Sequence, residues 1–140
     1  MPHKGFFRSI FCIDDDKTDL FIAEKYLKGL LVNPEVMLFM NGKNAIDKLM
    51  DLRQADPGGL PDYILLDLNM PVMDGWAFLD EIYRMRIDLW CDSAIYILSS
   101  SVDVTHVERA KRYPIVKGFI SKPLNREKFR STFLSALPDV

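Results

Sequence analysis

The sequence predicts an α/β domain, a parallel sheet wound with helices on both faces, and three observations carry that prediction. Five short apolar runs alternate with five segments whose apolar residues recur at three- and four-residue steps. The runs are mostly rich in Ile, Leu, Val and Phe, the composition of strands buried on both faces. The unusual polar residues stand where the runs end. Such strict alternation forces parallel strands joined by right-handed crossovers.

The first run, residues 8–13, closes with Ile10-Phe11-Cys12-Ile13 and is cut off by Asp14, Asp15 and Asp16. Asp16 lies where the first helix begins and reads as its cap, and Leu20, Ala23, Leu27, Leu30 and Leu31 form that helix's stripe. A second run covers 35–40, followed by a stripe of Ala45, Ile46, Leu49 and Met50. The segment Gln54 to Pro61, with Pro57-Gly58-Gly59 inside it, is a surface loop. It leads into Tyr63-Ile64-Leu65-Leu66, which ends in Asp67. Phe78, Leu79 and Ile82 mark a third helix. The fourth run, Ile95-Tyr96-Ile97-Leu98, is followed by Ser99, and Val104, Val107, Ala110 and Lys111 suggest a shorter fourth helix. The last run, Gly118-Phe119-Ile120-Ser121, meets Lys122, and Pro123 forces an extended or cis geometry that aims Lys122 inward. Asn125 caps a fifth helix lined by Phe129, Phe133, Ala136 and Leu137.

At 140 residues the chain fits one domain, residues 1–140, and the three residues after the last helix leave an output domain unexpected. A net charge of −2 with mixed signs gives no electrostatic reason to expect nucleic acid or an anionic membrane as partner. The first apolar stretch, Phe6 to Ile13, is too short for a signal peptide or a membrane span, so a cytoplasmic protein is expected. Cys12 and Cys91 form no Cys-x-x-Cys pair and read as reduced thiols without a role. His3 and His106 lack metal-ligand spacing and read as exposed.

In open α/β sheets, ligands bind beyond the carboxyl ends of the strands. Asp14, Asp15, Asp67, Ser99 and Lys122 all fall at such ends and would converge on one cleft. Three carboxylates there repel one another unless a cation compensates or their pKa values rise. Magnesium, or manganese in its place, suits a few carboxylates and leaves positions open for phosphate oxygens. Lys122 adds a second positive charge and Ser99 a hydroxyl donor. Together they suit phosphoryl transfer, which is mainly positioning and charge neutralisation.

An acid pair after the first strand, Asp-x-x-Met-Pro-x-Met-Asp-Gly from Asp67, a hydroxyl after the fourth and Lys-Pro after the fifth stand in this order. From about Phe7 to Leu137 the chain thereby resembles the receiver domain of two-component response regulators. The resemblance implies a flavodoxin-like five-stranded sheet of order 2-1-3-4-5. It implies that Asp67 accepts a phosphoryl group from a phosphohistidine on a sensor kinase or phosphotransfer protein. Asp15, Asp67 and the main-chain carbonyl of Asn69 would hold magnesium, with Asp14 acting through water, and Lys122 would pair with the phosphoryl group. Ser99 would move toward that group and Phe119, at the aromatic switch position, would turn inward. The face of the fourth helix, fifth strand and fifth helix would then change for an effector protein; a phosphorylation-dependent homodimer is left open. By the same resemblance the chain is not an enzyme beyond promoting its own phosphorylation and dephosphorylation.

Two features depart from the family's pattern. Lys111 to Gly118 differs from the short Gly- and Ala-rich turn most receivers carry, and Phe119 lacks the hydroxyl of the commoner tyrosine. Three rival readings stand beside this one. Residues 10–18 also fit the start of a haloacid-dehalogenase-like phosphohydrolase, with Asp14 as nucleophile and Asp16 as acid, but Asp67 precedes both Ser99 and Lys122, against that family's order. A flavodoxin-like flavin carrier would need a phosphate loop where three acids stand. A receiver serving only as an interaction module would not need every phosphoryl-chemistry position filled.

Overall fold

The computed structural model describes residues 8–136. The expectations for His3, Phe6, Phe7 and Leu137, and for the Ala136 side chain, lie outside the described residues.

Strands β1 (Ser9–Ile13), β2 (Glu35–Phe39), β3 (Tyr63–Asp67), β4 (Ala94–Ser99) and β5 (Val116–Ser121) alternate with helices α1 (Lys17–Leu30), α2 (Gly42–Ala55), α3 (Gly75–Arg84), α4 (Val104–Ala110) and α5 (Arg126–Ala136). Short 3-10 turns at Pro57–Gly59 and Ile87–Leu89 precede β3 and β4. All strand pairs are parallel and the sheet order is β2-β1-β3-β4-β5.

Alternation along each strand divides the core into two layers. Phe11 and Ile13 of β1, Ile64 and Leu66 of β3, and Ile95 and Ile97 of β4 join Leu49 of α2 and Phe78, Leu79 and Ile82 of α3. Ile10, Cys12, Leu65, Leu98 and Ile120 point the other way, to Leu20, Ala23 and Leu27 of α1 and Phe129 and Phe133 of α5. Asp16 caps α1, accepting from the Thr18 and Asp19 amides at 2.9 and 3.3 Å. Asn125 likewise accepts from the Lys128 amide at 2.8 Å, where α5 begins.

Several expectations need correction. β2 is a half-exposed edge with Leu38 41% accessible, because it has a neighbour on one side only and helices cover it incompletely. α2 runs through Gln54 to Ala55, so the loop begins at Asp56, whose amide still donates to the Leu52 carbonyl at 2.9 Å. β5 starts two residues early, at Val116. The α4 stripe is not a core stripe: Ala110 is buried, but Val104 is 76% exposed and Val107 is also exposed. His106 is half-buried, its ring 6.0 Å from that of Trp76, and not exposed as expected. Cys12 and Cys91 are buried and outside any disulfide among the described residues. Burial, then the charges of Glu24 and Asp14, push the Cys12 thiol far up, which keeps it unreactive.

Gly75 sets how closely α3 approaches the end of β3. A Cβ there would stand 2.7 Å from the Asp67 carbonyl oxygen and 2.8 Å from Leu68 Cα, while the Gly75 amide donates to the Leu68 carbonyl at 2.9 Å. Backbone atoms cannot yield as a flexible side-chain tip can. Gly75→Ala is therefore expected to lower the unfolding free energy by about 1–3 kcal/mol, read by urea denaturation; an unchanged midpoint would show that the turn relaxes freely.

Candidate functional site

The carboxyl ends of the strands bring the expected residues together. Asp14 follows β1 directly and is 1% exposed; Asp67 is the last residue of β3 and is 3% exposed. Asp14 and Lys122 are placed by backbone bonds between neighbouring strand ends. The Asp14 amide donates to the Phe39 carbonyl at 3.0 Å, and the Lys122 amide donates to the Ser99 carbonyl at 2.9 Å. The Lys122-Pro123 peptide is cis, and the Lys122 side chain lies inward as expected. Its Nζ is 2.9 Å from Asp14 Oδ2, 2.9 Å from Asp19 Oδ2 and 3.5 Å from Asp67 Oδ1.

Asp14, Asp15 and Asp67 each offer one carboxylate oxygen within 4.8 Å of the others. Asp15 is exposed, so the group opens to solvent on one side. Asp14 Oδ1 accepts from the Asp16 amide at 3.0 Å, whereas its buried Oδ2 makes no aligned hydrogen bond and faces the Lys122 ammonium. The Asn69 side chain is exposed, and its backbone amide donates to the Asp67 carboxylate.

The electrostatics follow from crowding acids in a place water reaches poorly. Burial, then the Asp14 charge, and to a smaller extent that of Asp15, push Asp67 up to about 7, against the opposing pull of Lys122 and the Asn69 amide. Asp14 is also raised, chiefly by burial. Burial disfavours the Lys122 charge, but hydrogen bonds to Asp19 and Asp14 and the charges of Asp14 and Asp67 outweigh it, so its pKa is raised. One ammonium thus leaves the acids undercompensated. That deficit and the all-oxygen donor set fit a hard divalent cation.

Ser99 is buried at the end of β4, and its Oγ accepts from the Ser101 amide at 3.1 Å. The Ser101 carbonyl in turn accepts from His106 Nδ1, which ties the β4–α4 loop to α4. Phe119 is half-buried and packs against the α2–α3 layer of the core. The segment from Lys111 to Gly118 is pinned to α3: the Tyr113 hydroxyl donates to Asp80, and the Ile115 amide donates to the Tyr83 hydroxyl at 3.0 Å. Trp76, in the first turn of α3, has the Arg109 guanidinium of α4 4.4 Å from its ring.

Two residues at the site are absent from the sequence reading. Asp19 is an acid in the first turn of a helix, where the helix dipole favours acids whatever their role. Lys128 carries no sequence signal, yet its Nζ donates to the carbonyls of Ser121 and Pro123 at 3.0 and 2.8 Å, on either side of Lys122. Asp16, the acid required by the phosphohydrolase reading, spends its Oδ1 on the α1 cap.

A sheet of order 2-1-3-4-5 with helices on both faces defines a flavodoxin-like α/β domain. Within that class, the sequence model of the response regulator receiver domain matches residues 10–133, and the chain belongs to that family. It is 44% identical over 92 residues to a protein-glutamate methylesterase/protein-glutamine glutaminase of Treponema pallidum, covering 66% of this chain and 20% of that protein. It is 32% identical over 73 residues to the response regulator Rcp1 of Synechocystis, covering 52% of this chain and 50% of Rcp1. The solved structure of a two-component response regulator from Cytophaga hutchinsonii superposes with a TM-score of 0.80 at 28% identity, covering 94% of this chain and 97% of that one. The matches span from 8% to 50% of the length of the curated relatives. Receiver domains bind Mg2+ at an acidic cluster, and Asp14, Asp15 and Asp67 form such a grouping here.

The raised Asp67 pKa has a consequence for stability. A carboxyl with a folded-state pKa above its unfolded value loses stabilising effect as pH rises from about 4 to about 7. Asp67→Asn is therefore expected to stabilise the metal-free protein by about 2 kcal/mol at about pH 8, with little gain at about pH 4. Urea denaturation in EDTA at both pH values checks this, and equal stability of both proteins at the higher pH would contradict the perturbation.

Proposed function

We propose that Asp67 is a phosphoryl acceptor and that the chain works as a receiver in two-component signalling. The donor is a phosphohistidine on a sensor kinase or phosphotransfer protein. A carboxylate oxygen of Asp67 attacks the phosphorus, the phosphorus–nitrogen bond breaks, and the imidazole leaves with a proton from water; the product is an acyl phosphate. The observation that carries this reading is the burial of Asp67 within 3.5 Å of Lys122 and in one group with Asp14 and Asp15. A carboxylate so placed meets a cation and has an open side toward Asp15.

Each residue then has a task. Lys122 supplies charge to a phosphoryl oxygen, and the buried Ser99 hydroxyl donates to another once it leaves the Ser101 amide. Asp14, Asp15, Asp67 and the Asn69 carbonyl would hold Mg2+, or Mn2+, which neutralises the acids and the incoming phosphoryl charge. Ser99 and Phe119 would form the switch: the loop that Ser99 anchors reaches α4 through His106, and Phe119 has exposed surface left to bury. The α4–β5–α5 face, where Val104 and Val107 lie uncovered, would meet the effector protein. The chemistry is confined to making and breaking the protein's own aspartyl phosphate. A cytoplasmic setting belongs to this proposal; no helix among the described residues is long and apolar enough to cross a membrane.

Intact-mass spectrometry after incubation with acetyl phosphate tests the reading. Wild type is expected to gain one phosphoryl group only with Mg2+, Asp67→Asn to gain none, and Asp14→Asn to gain it more slowly. An adduct that persists in Asp67→Asn but vanishes in Asp14→Asn would move the nucleophile to Asp14. No adduct in wild type, nor with a histidine kinase as donor, would leave an interaction module.

A further inference from the structure

The rim holds a fourth acid that the metal grouping does not absorb. Asp19 Oδ2 stands 2.9 Å from Lys122 Nζ, as close as Asp14 Oδ2, while Asp67 Oδ1 is at 3.5 Å. An ammonium has three protons, and here it has three carboxylates. They are not equivalent. Asp14 and Asp67 belong with Asp15 to the cluster that could share a cation, and Asp19 does not. A cation drawn to that cluster would compete with Lys122 for Asp14 and Asp67, leaving Asp19 as the acid dedicated to the ammonium.

The helix fixes where Asp19 pulls. Its amide is bonded to the Asp16 cap, so its carboxylate is carried by the first turn of α1. The side chain is 21% exposed, compared with 1% for Asp14, whose other oxygen is also held by the Asp16 amide. Of the contacts that must give way when Lys122 turns to a phosphoryl oxygen, the one to Asp19 is therefore the more readily exchanged for water.

We propose that Asp19 is a positioning residue that competes with the phosphoryl group for Lys122, holding the ammonium toward α1 and so limiting how readily Asp67 is phosphorylated. The proposal rests on the reading of Asp67 as acceptor. Its two physical effects have the same sign: the Asp19 contact must be loosened before Lys122 can bond a phosphoryl oxygen, and the Asp19 charge opposes an anionic donor. Both weaken the approach of phosphate.

The test is phosphorylation by acetyl phosphate over a concentration series in Mg2+, followed by intact mass. Asp19→Asn is expected to lower the half-saturating donor concentration about five-fold, with a smaller change in the maximal rate. Asp19→Glu, which keeps the charge, is expected to return toward wild type. In a Lys122→Gln background the same Asp19→Asn substitution is expected to give a clearly smaller gain, the signature of competition for the ammonium. An equal gain in both backgrounds would reduce the effect to general charge and overturn the proposal. So would an unchanged or raised half-saturation in Asp19→Asn while wild type is labelled on Asp67. A wild type that takes no label from any donor overturns the acceptor reading first, and this proposal with it.

Discussion

The Lys122 ammonium is the constraint on which the rest of the rim depends. The turns of the fold deliver buried carboxylates to adjacent strand ends, and two of them, Asp14 and Asp67, lie almost out of water's reach. Left alone, such acids would protonate or open the strand ends to solvent. Lys122 offsets part of that cost, and its placement is determined on two sides: its amide is bonded to Ser99, and its side chain lies between Asp14, Asp67 and Asp19. The compensation is incomplete, and the raised Asp67 pKa is its residue. A site left short of positive charge attracts cations, and a bound cation then lets an anion approach.

Much of this is legible in the sequence, for reasons that vary with the element. Period separated strands from helices because the sheet is covered on both faces, so β1 and β3 are buried along their whole length and mostly apolar. The same criterion misjudged β2, since apolar content does not distinguish a central strand from an edge. It misjudged α4 as well: Val104 and Val107 follow a helical step, but both are exposed. At the rim, Asp14, Asp67 and Lys122 could be found because strand ends are fixed points in the topology. Asp19 could not. Its partner is brought to it by the sheet order, and neither residue carries a local mark of the pairing.

The unusual segment before β5 shows a related limit. Its departure from a small-residue turn was visible in sequence, but its consequence was not. Tyr113 and Ile115 are buried, and their bonds to Asp80 and Tyr83 fasten the entry to β5 onto α3. Trp76, stacked under Arg109 and near His106, closes the space between α3 and α4. A turn of small residues would have no such groups to offer. The α3–α4 side is therefore braced by aromatic side chains where a plainer loop would rely on backbone alone.

The Lys128 contacts give the rim a mechanical character. Lys122 is tied to α1 through Asp19, and the carbonyls on either side of it are tied to α5 through Lys128. The ammonium is thus the keystone of a span whose two abutments are helices on the same face of the sheet. A displacement of either helix is passed to the charge at the centre. By linkage, anything that grips α1 and α5 more firmly in one position of Lys122 alters what the rim will hold, and whatever the rim holds alters that grip by the same free energy.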